Sequence, residues 1–128
     1  MIHIIDTYAW IEYFIGSSKG EVLRKLLLHD GNKFLTVECC LGEIKGWALR
    51  NNDDFDRHFR IIRANSDMLP IMEHDWILAG QERFDQRKTQ KDFGLIDAAI
   101  LVKQKELDCK LISGDKHFKN LKNIIFLY

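Results

Sequence analysis

Neither sign of charge is in excess in this chain: 19 Lys and Arg stand against 19 Asp and Glu, a formal charge of zero at pH 7. No overall basic field draws in nucleic acid, so a polyanion would have to be held by local basic patches or by metal ions. Cysteine is scarce, with three residues; Cys39 and Cys40 adjoin, and Cys109 stands apart. That odd set makes no disulfide framework and lacks zinc-ligand spacing. It fits small core residues in a reducing cytoplasm. No apolar run reaches the ~18 residues of a bilayer span. The opening MIHIIDTYAW has no basic region ahead of a long apolar stretch, so no signal peptide is expected. Internal repeats, low-complexity runs and linkers are also missing. What remains is 46% hydrophobic and 30% charged, expected to form one cytoplasmic domain over residues 1–128 with a real core.

What is present is an alternation of short apolar runs and amphipathic ones. Ile2–Ile5 reads as a buried strand closed by Asp6, and Thr7–Ile15 as a helix with Trp10, Tyr13 and Phe14 at helical spacing. Residues 21–29 carry Val22, Leu23, Leu26 and Leu27 on one side, a second helix that Asp30, Gly31 and Asn32 break. Lys33–Val37 is a second strand. Helices follow over 38–50 and 53–64, the latter with Phe55, Phe59 and Ile62 inward and Arg57, Arg60 and Arg63 on a solvated face. Residues 69–72 are a short strand or connector in which Pro70 suits a sheet edge. A helix over 74–89 offers Trp76, Ile77, Leu78 and Phe84 to the core. A buried helix starts after Gly94, and 111–113 and 124–128 are strands. Strands separated by helices imply a parallel α/β sheet between helix layers, with ligands gathered at the carboxyl ends of the strands.

Four acids could converge at that edge. Asp6 ends the first strand, and Asp115 follows the strand pattern of Leu111, Ile112, Ser113 and Gly114. Asp97 is embedded among Leu95, Ile96, Ala98, Ala99 and Ile100, and Glu43 has Leu41, Ile44 and Trp47 for company. An ionised carboxylate in such surroundings is costly unless paired, hydrogen-bonded or bound to a cation. Glu38 is a fifth acid nearby. Five residues at ~100° each put it roughly 140° around the helix from Glu43, so the two cannot share a face. Near the helix start it suits the macrodipole, and it is given no functional role. Four carboxylates in one pocket repel one another, and Mg²⁺ or Mn²⁺ held by carboxylates alone resolves the conflict. No His or Cys accompanies the acids at metal-ligand spacing, which argues against zinc. A cation held in this way suits phosphodiester hydrolysis, where it activates water and stabilises the leaving oxygen.

Ile4-Ile5-Asp6-Thr7, Glu43-Ile44-Lys45-Gly46, Leu95-Ile96-Asp97-Ala98-Ala99-Ile100 and Ile112-Ser113-Gly114-Asp115-Lys116-His117-Phe118, taken in this order, resemble the PIN domain. In particular the chain is similar to the VapC-like ribonuclease toxins of bacterial and archaeal toxin–antitoxin pairs. The resemblance runs from the first strand to the last and is loosest over 50–91. It implies a five-stranded parallel sheet flanked by helices in an α/β/α sandwich. It also implies Mg²⁺- or Mn²⁺-dependent cleavage of single-stranded RNA, a homodimer or higher oligomer, and inhibition by a small antitoxin protein. Carried over by position, Asp6 and Asp97 are the principal metal ligands, Glu43 orients water or acts as base, and Asp115 completes the metal cluster. Ser113 stands where the family has Thr or Ser near the metal water or the phosphate, and Thr7 follows the first Asp, as is common there.

Two basic clusters are candidate grips on RNA phosphates: Lys116, Lys119 and Lys122 beside Asp115, and Arg87, Lys88 and Lys91 ahead of Asp97. An aspartyl phosphatase of the haloacid-dehalogenase kind is disfavoured, because Tyr8 stands where its second Asp is needed. A response-regulator receiver needs an acidic pair at the first strand end, and only Asp6 is there. Two alternatives stay open. One is a housekeeping PIN-domain RNA-processing nuclease. The other is a non-catalytic RNA-binding or scaffold module, in which Asp6 is a cap, Asp115 a turn residue, and Asp97 and Glu43 are each salt-bridged to Lys or Arg.

Overall fold

In the computed structural model, which describes residues 1–128, the chain is laid out around one central strand, β1 (Ile2–Ile5), whose His3, Ile4 and Ile5 are all buried. After it come α1 (Thr7–Ile15), α2 (Ser18–Leu27), β2 (Lys33–Val37), α3 (Cys39–Arg50), α4 (Phe55–Asn65) and β3 (Asp67–Leu69). Then follow α5 (Glu73–Gln86), α6 (Leu95–Leu107), β4 (Lys110–Ser113), a 3₁₀ turn (Lys116–Phe118) and β5 (Ile124–Phe126). The strand order is β3-β2-β1-β4-β5, and every neighbouring pair is parallel. Parallel sheets need cover on both faces, and the six helices supply it. This is the five-stranded α/β architecture expected.

The order reverses at β1. The chain steps outward from β1 through β2 to β3, and α5 and α6 then carry it back to β4 on the other side. Such a switch point opens a crevice beyond the carboxyl ends of the two strands concerned. In register, Ile4 faces Leu111 and Ile5 faces Ile112, so Asp6 and Ser113, one residue further on, finish their strands side by side. The Asp6 N–H donates to the Ile112 carbonyl at 3.2 Å.

Behind this edge, 23 buried apolar side chains form one cluster, and a run of side-chain hydrogen bonds passes through it. Trp10 Nε1 donates to Thr36 Oγ1 at 3.0 Å, the Thr36 and Ser66 hydroxyls bond at 2.7 Å, and Ser66 Oγ donates to the Ile62 carbonyl at 2.8 Å. Any of these left unpaired would cost about 1–3 kcal/mol, so the bonds fix α1, β2 and the end of α4 against one another.

Three expectations need correction. Helix α2 starts at Ser18 rather than 21, because Ser17 Oγ accepts the Gly20 N–H at 3.0 Å and caps it. Strand β3 is Asp67–Leu69, earlier than 69–72; it is an edge strand, as Pro70 suggested, and Pro70 lies just beyond it. Trp76, Ile77, Leu78 and Phe84 of α5 are not in the core but 38%, 70%, 52% and 65% exposed. The buried side of α5 is Asp75 and Ala79. Asp75 accepts the Met72 N–H at 2.8 Å and lies 2.7 Å from the buried Lys103 ammonium of α6. A small residue and an ion pair join these helices, so counting apolar residues selects the wrong face. On α4, Ile62 is buried, Phe55 and Phe59 are half-buried, and Arg57, Arg60 and Arg63 are exposed as expected. No helix is long and apolar enough to cross a membrane.

Gly20 is where α1 and α2 come closest: a Cβ there would fall on the Glu12 carbonyl, with Tyr13 Cα 2.7 Å away. Gly42, within α3, faces open space. We therefore expect Gly20→Ala to lower stability by about 1–3 kcal/mol and Gly42→Ala to raise it by about 0.5–1 kcal/mol, both read from urea unfolding.

Candidate active site

Hydrogen bonds position Asp6, Asp115 and Glu43 at the candidate site. Asp6 is the N-cap of α1: its Oδ1 accepts the Ala9 N–H at 2.9 Å, and its Oδ2 accepts the Ser113 hydroxyl at 2.6 Å. The residue is only 3% exposed. Ser113 Oγ in turn accepts the Asp115 N–H at 2.9 Å, so one hydroxyl bridges the two strand ends. Asp115 caps the 3₁₀ turn by accepting the His117 N–H at 2.9 Å. Asp97 occupies the first turn of α6, where the helix dipole favours a negative charge. Glu43, on α3, accepts the Thr7 hydroxyl at 2.7 Å.

These carboxyls feel one another. Burial pushes Asp6 up from 3.8 to about 7, against the hydrogen bonds from Ser113 and Ala9, with the charges of Asp115 and Asp97 adding to the rise. Glu43 is raised by crowding of its carboxyl among protein atoms, offset in part by the Thr7 hydroxyl and reinforced by Asp97 and Asp115. Asp97 is raised by burial and by Asp115, while His117 opposes the rise. Neither Asp97 nor Glu43 is salt-bridged to Lys or Arg. The ionic partner of Asp97 is His117 alone, and the one side-chain bond to Glu43 comes from Thr7. The pairing that a purely structural role would require is therefore missing, whereas hard oxygen donors crowded at like charge are a donor set that fits a divalent cation.

His117 corrects the expectation that no His accompanies the acids. Its Nδ1 lies 2.9 Å from Asp97 Oδ2 and 3.4 Å from Asp115 Oδ1. Potential ligand atoms of Asp97, Asp115 and His117 all fall within 4.8 Å of one another. Burial pulls the imidazole down, but Asp92, Asp115 and Asp97 outweigh it and the net shift is upward. The sequence signal for it is its place two residues after Asp115, between Lys116 and Lys119. Glu38 takes a structural role: its Oε1 accepts the Ile71 N–H at 3.2 Å, tying the start of α3 to the segment after β3.

The basic residues divide. Lys91 and Lys122 are exposed, and Lys116 is exposed beside Asp92 at 3.5 Å. Lys119 lies over the rings of Phe126 and Tyr128 at 5.8 and 5.6 Å. Arg87 Nε donates to the Phe93 carbonyl at 2.8 Å and Lys88 bonds Asp85 at 3.4 Å, so Arg87 holds the loop ahead of α6 in shape.

Comparison with known proteins agrees with this fold. The model of the PIN domain matches residues 3–124. No curated protein matches the chain. Among solved structures, the chain is similar to Mycobacterium tuberculosis VapC20, described as a Sarcin-Ricin loop cleaving toxin, at TM-score 0.77 and 13% identity over 94% of this chain and 95% of that one. It is similar to Rickettsia felis VapBC2, bound to a DNA fragment from its promoter, at TM-score 0.74 and 15% identity over 98% and 97%. VapBC-1 of nontypeable Haemophilus influenzae matches at TM-score 0.69 and 19% identity over 97% and 95%.

The raised Asp6 carboxyl gives a stability test. A carboxyl raised on folding contributes stability that is fully present below its unfolded value and is lost as pH rises through about 7. Asp6→Asn removes that loss and keeps an oxygen for the Ala9 cap. In EDTA it should melt higher than wild type at pH 8, by on the order of a few kcal/mol, and the gap should close by pH 4. A gap independent of pH would contradict the account.

Proposed function

The chain belongs to the PIN-domain family, whose members are in general nucleases, and from that premise we propose that it is a Mg²⁺- or Mn²⁺-dependent endoribonuclease that cuts single-stranded RNA as the toxin of a toxin–antitoxin pair. The observation that carries the proposal is the set of mutually repelling carboxyls at the switch point with no Lys or Arg neutralising Asp97 or Glu43. A divalent cation at such a site supplies charge neutralisation at the scissile phosphate and a more acidic attacking water.

The rest of the work belongs to the chain. Asp6, Asp97 and Asp115 would hold the cation, with Glu43 at its flank. The Ser113 hydroxyl and the Ala9 N–H keep Asp6 in one orientation. Thr7 fixes Glu43, whose raised carboxyl is suited to take the proton from water as the new P–O bond forms and the P–O bond to the leaving oxygen breaks. Lys91, Lys116 and Lys119 would hold phosphates of the strand on either side. Toxin rather than processing enzyme is favoured by the neighbours in fold, which are VapC and VapBC proteins spanning nearly the same length. A small antitoxin is the implied partner. The apolar residues exposed on α5 exceed what an isolated surface needs and suit an antitoxin or a second copy in a homodimer.

A mixed RNA pool incubated with Mg²⁺ or Mn²⁺ should be cleaved by wild type and left intact in EDTA. Asp6→Ala and Asp97→Asn should each lose at least about 10³-fold in rate, with Asp97→Asn folded as well as wild type. Expression of wild type, but not of Asp6→Ala, should arrest growth; unimpeded growth would remove the toxin assignment. Replacing Lys91, Lys116 and Lys119 together by Gln should raise KM and flatten its salt dependence. Arg87→Gln should instead lower the melting temperature, because the Phe93 carbonyl loses its donor.

A further inference from the structure

We propose that His117 is a nitrogen ligand built into the otherwise oxygen-donor site, with Asp92 holding its ring, so that the site binds Mn²⁺ in preference to Mg²⁺. The proposal rests on the cation-site reading above and goes beyond it in assigning an extra ligand and a metal preference. Three observations support it. The first is reach: one atom each from Asp97, Asp115 and His117 lies within 4.8 Å of the other two, a spread a single ion can bridge.

The second is orientation. His117 turns Nδ1 toward Asp97 and Asp115, at 2.9 and 3.4 Å, and Nε2 toward Asp92 Oδ1 at 3.2 Å. Nε2 is buried, and its contact with the exposed Asp92 is an ionic one rather than an aligned hydrogen bond. Nδ1 shares a hydrogen bond with Asp97 at 2.9 Å; a cation held by the acids would take the place of the Nδ1 proton, leaving the ring proton on Nε2, on the side of Asp92. A metal-bound histidine ordinarily has just such a carboxylate behind it, setting the tautomer and raising the ligand's basicity.

The third is rigidity. The His117 side chain is 13% exposed. Its ring packs 5.5 Å from Phe93, its N–H is held by Asp115 at 2.9 Å, and its carbonyl accepts from Gln90 Nε2 at 2.9 Å. Imidazole discriminates between cations: Mg²⁺ favours oxygen ligands and keeps its waters, whereas first-row transition ions accept nitrogen readily.

The test uses the full-length protein without RNA. Mn²⁺ binding is followed by electron paramagnetic resonance and Mg²⁺ binding by competition, for wild type, His117→Gln, Asp92→Asn and Asp97→Asn, each checked for folding by thermal melting. Wild type should bind Mn²⁺ at least about tenfold more tightly than Mg²⁺, and its bound Mn²⁺ should show spin-echo modulation from an imidazole nitrogen. His117→Gln should lose that modulation and weaken Mn²⁺ by about 10–100-fold while moving Mg²⁺ by less than about threefold. Asp92→Asn should keep the modulation and weaken Mn²⁺ by less than the loss of the ring does. If Mn²⁺ binds wild type without nitrogen modulation, or as tightly to His117→Gln, the ligand role is overturned while the cation site stands. If neither ion binds wild type, or Asp97→Asn binds as wild type does, the cation-site reading falls and His117 with it.

Discussion

A carboxyl buried at the end of the central strand is the constraint around which this molecule is arranged. Removing Asp6 from water disfavours its charge, and the surroundings answer with two donors: the Ala9 N–H at the start of α1 and the Ser113 hydroxyl at the end of β4. Because Ser113 also accepts the Asp115 N–H, the bond that steadies Asp6 positions the next acid too. Parallel pairing makes this possible. With Ile5 level with Ile112, the residues that follow finish at the same height, and the reversal of strand order between β1 and β4 leaves their ends open to a ligand.

The same packing adds Asp97, on the first turn of α6, and Glu43, on α3. Burial, reinforced by the charges of the neighbouring acids, raises three of the four carboxyls, a cost that a divalent cation would offset. The fold thus gives up some stability at the candidate site, while the hydrogen bonds that run from Trp10 through Thr36 to Ser66 support it from behind. Elsewhere charge is handled differently. Asp75 is fully buried on α5, but it meets Lys103 directly and has no role at the crevice. Burial of an acid is therefore not the mark of the candidate site; the influence of neighbouring acids is.

The alternation of β2, α3 and α4 could be seen in the chain because strands and helices leave different spacings of apolar residues, and the parallel sheet followed because helices separate the strands. The resemblance to PIN domains was legible for a related reason: Asp6, Glu43, Asp97 and Asp115 stand in local contexts where an acid is conspicuous. His117 was not, since Lys116 and Lys119 on either side give it the look of a solvated basic run. Trp76, Ile77, Leu78 and Phe84 misled in the opposite sense. Large apolar side chains at helical spacing signal an interior face only when something covers them, and here Asp75 and Ala79 turn inward instead.

By itself, then, the order of residues determined the local elements, the parallel class of sheet and the four acids that stand out from their neighbours, because each depends on spacing within a few positions along the chain. Tertiary structure alone decided which groups meet: that Ser113 reaches Asp6 across 107 positions, that Thr7 turns to Glu43, that Asp92 and His117 come to lie behind Asp97, and which side of α5 faces in. Those outcomes depend on how strands pair and helices pack, which is a property of the whole folded chain and not of any stretch of it.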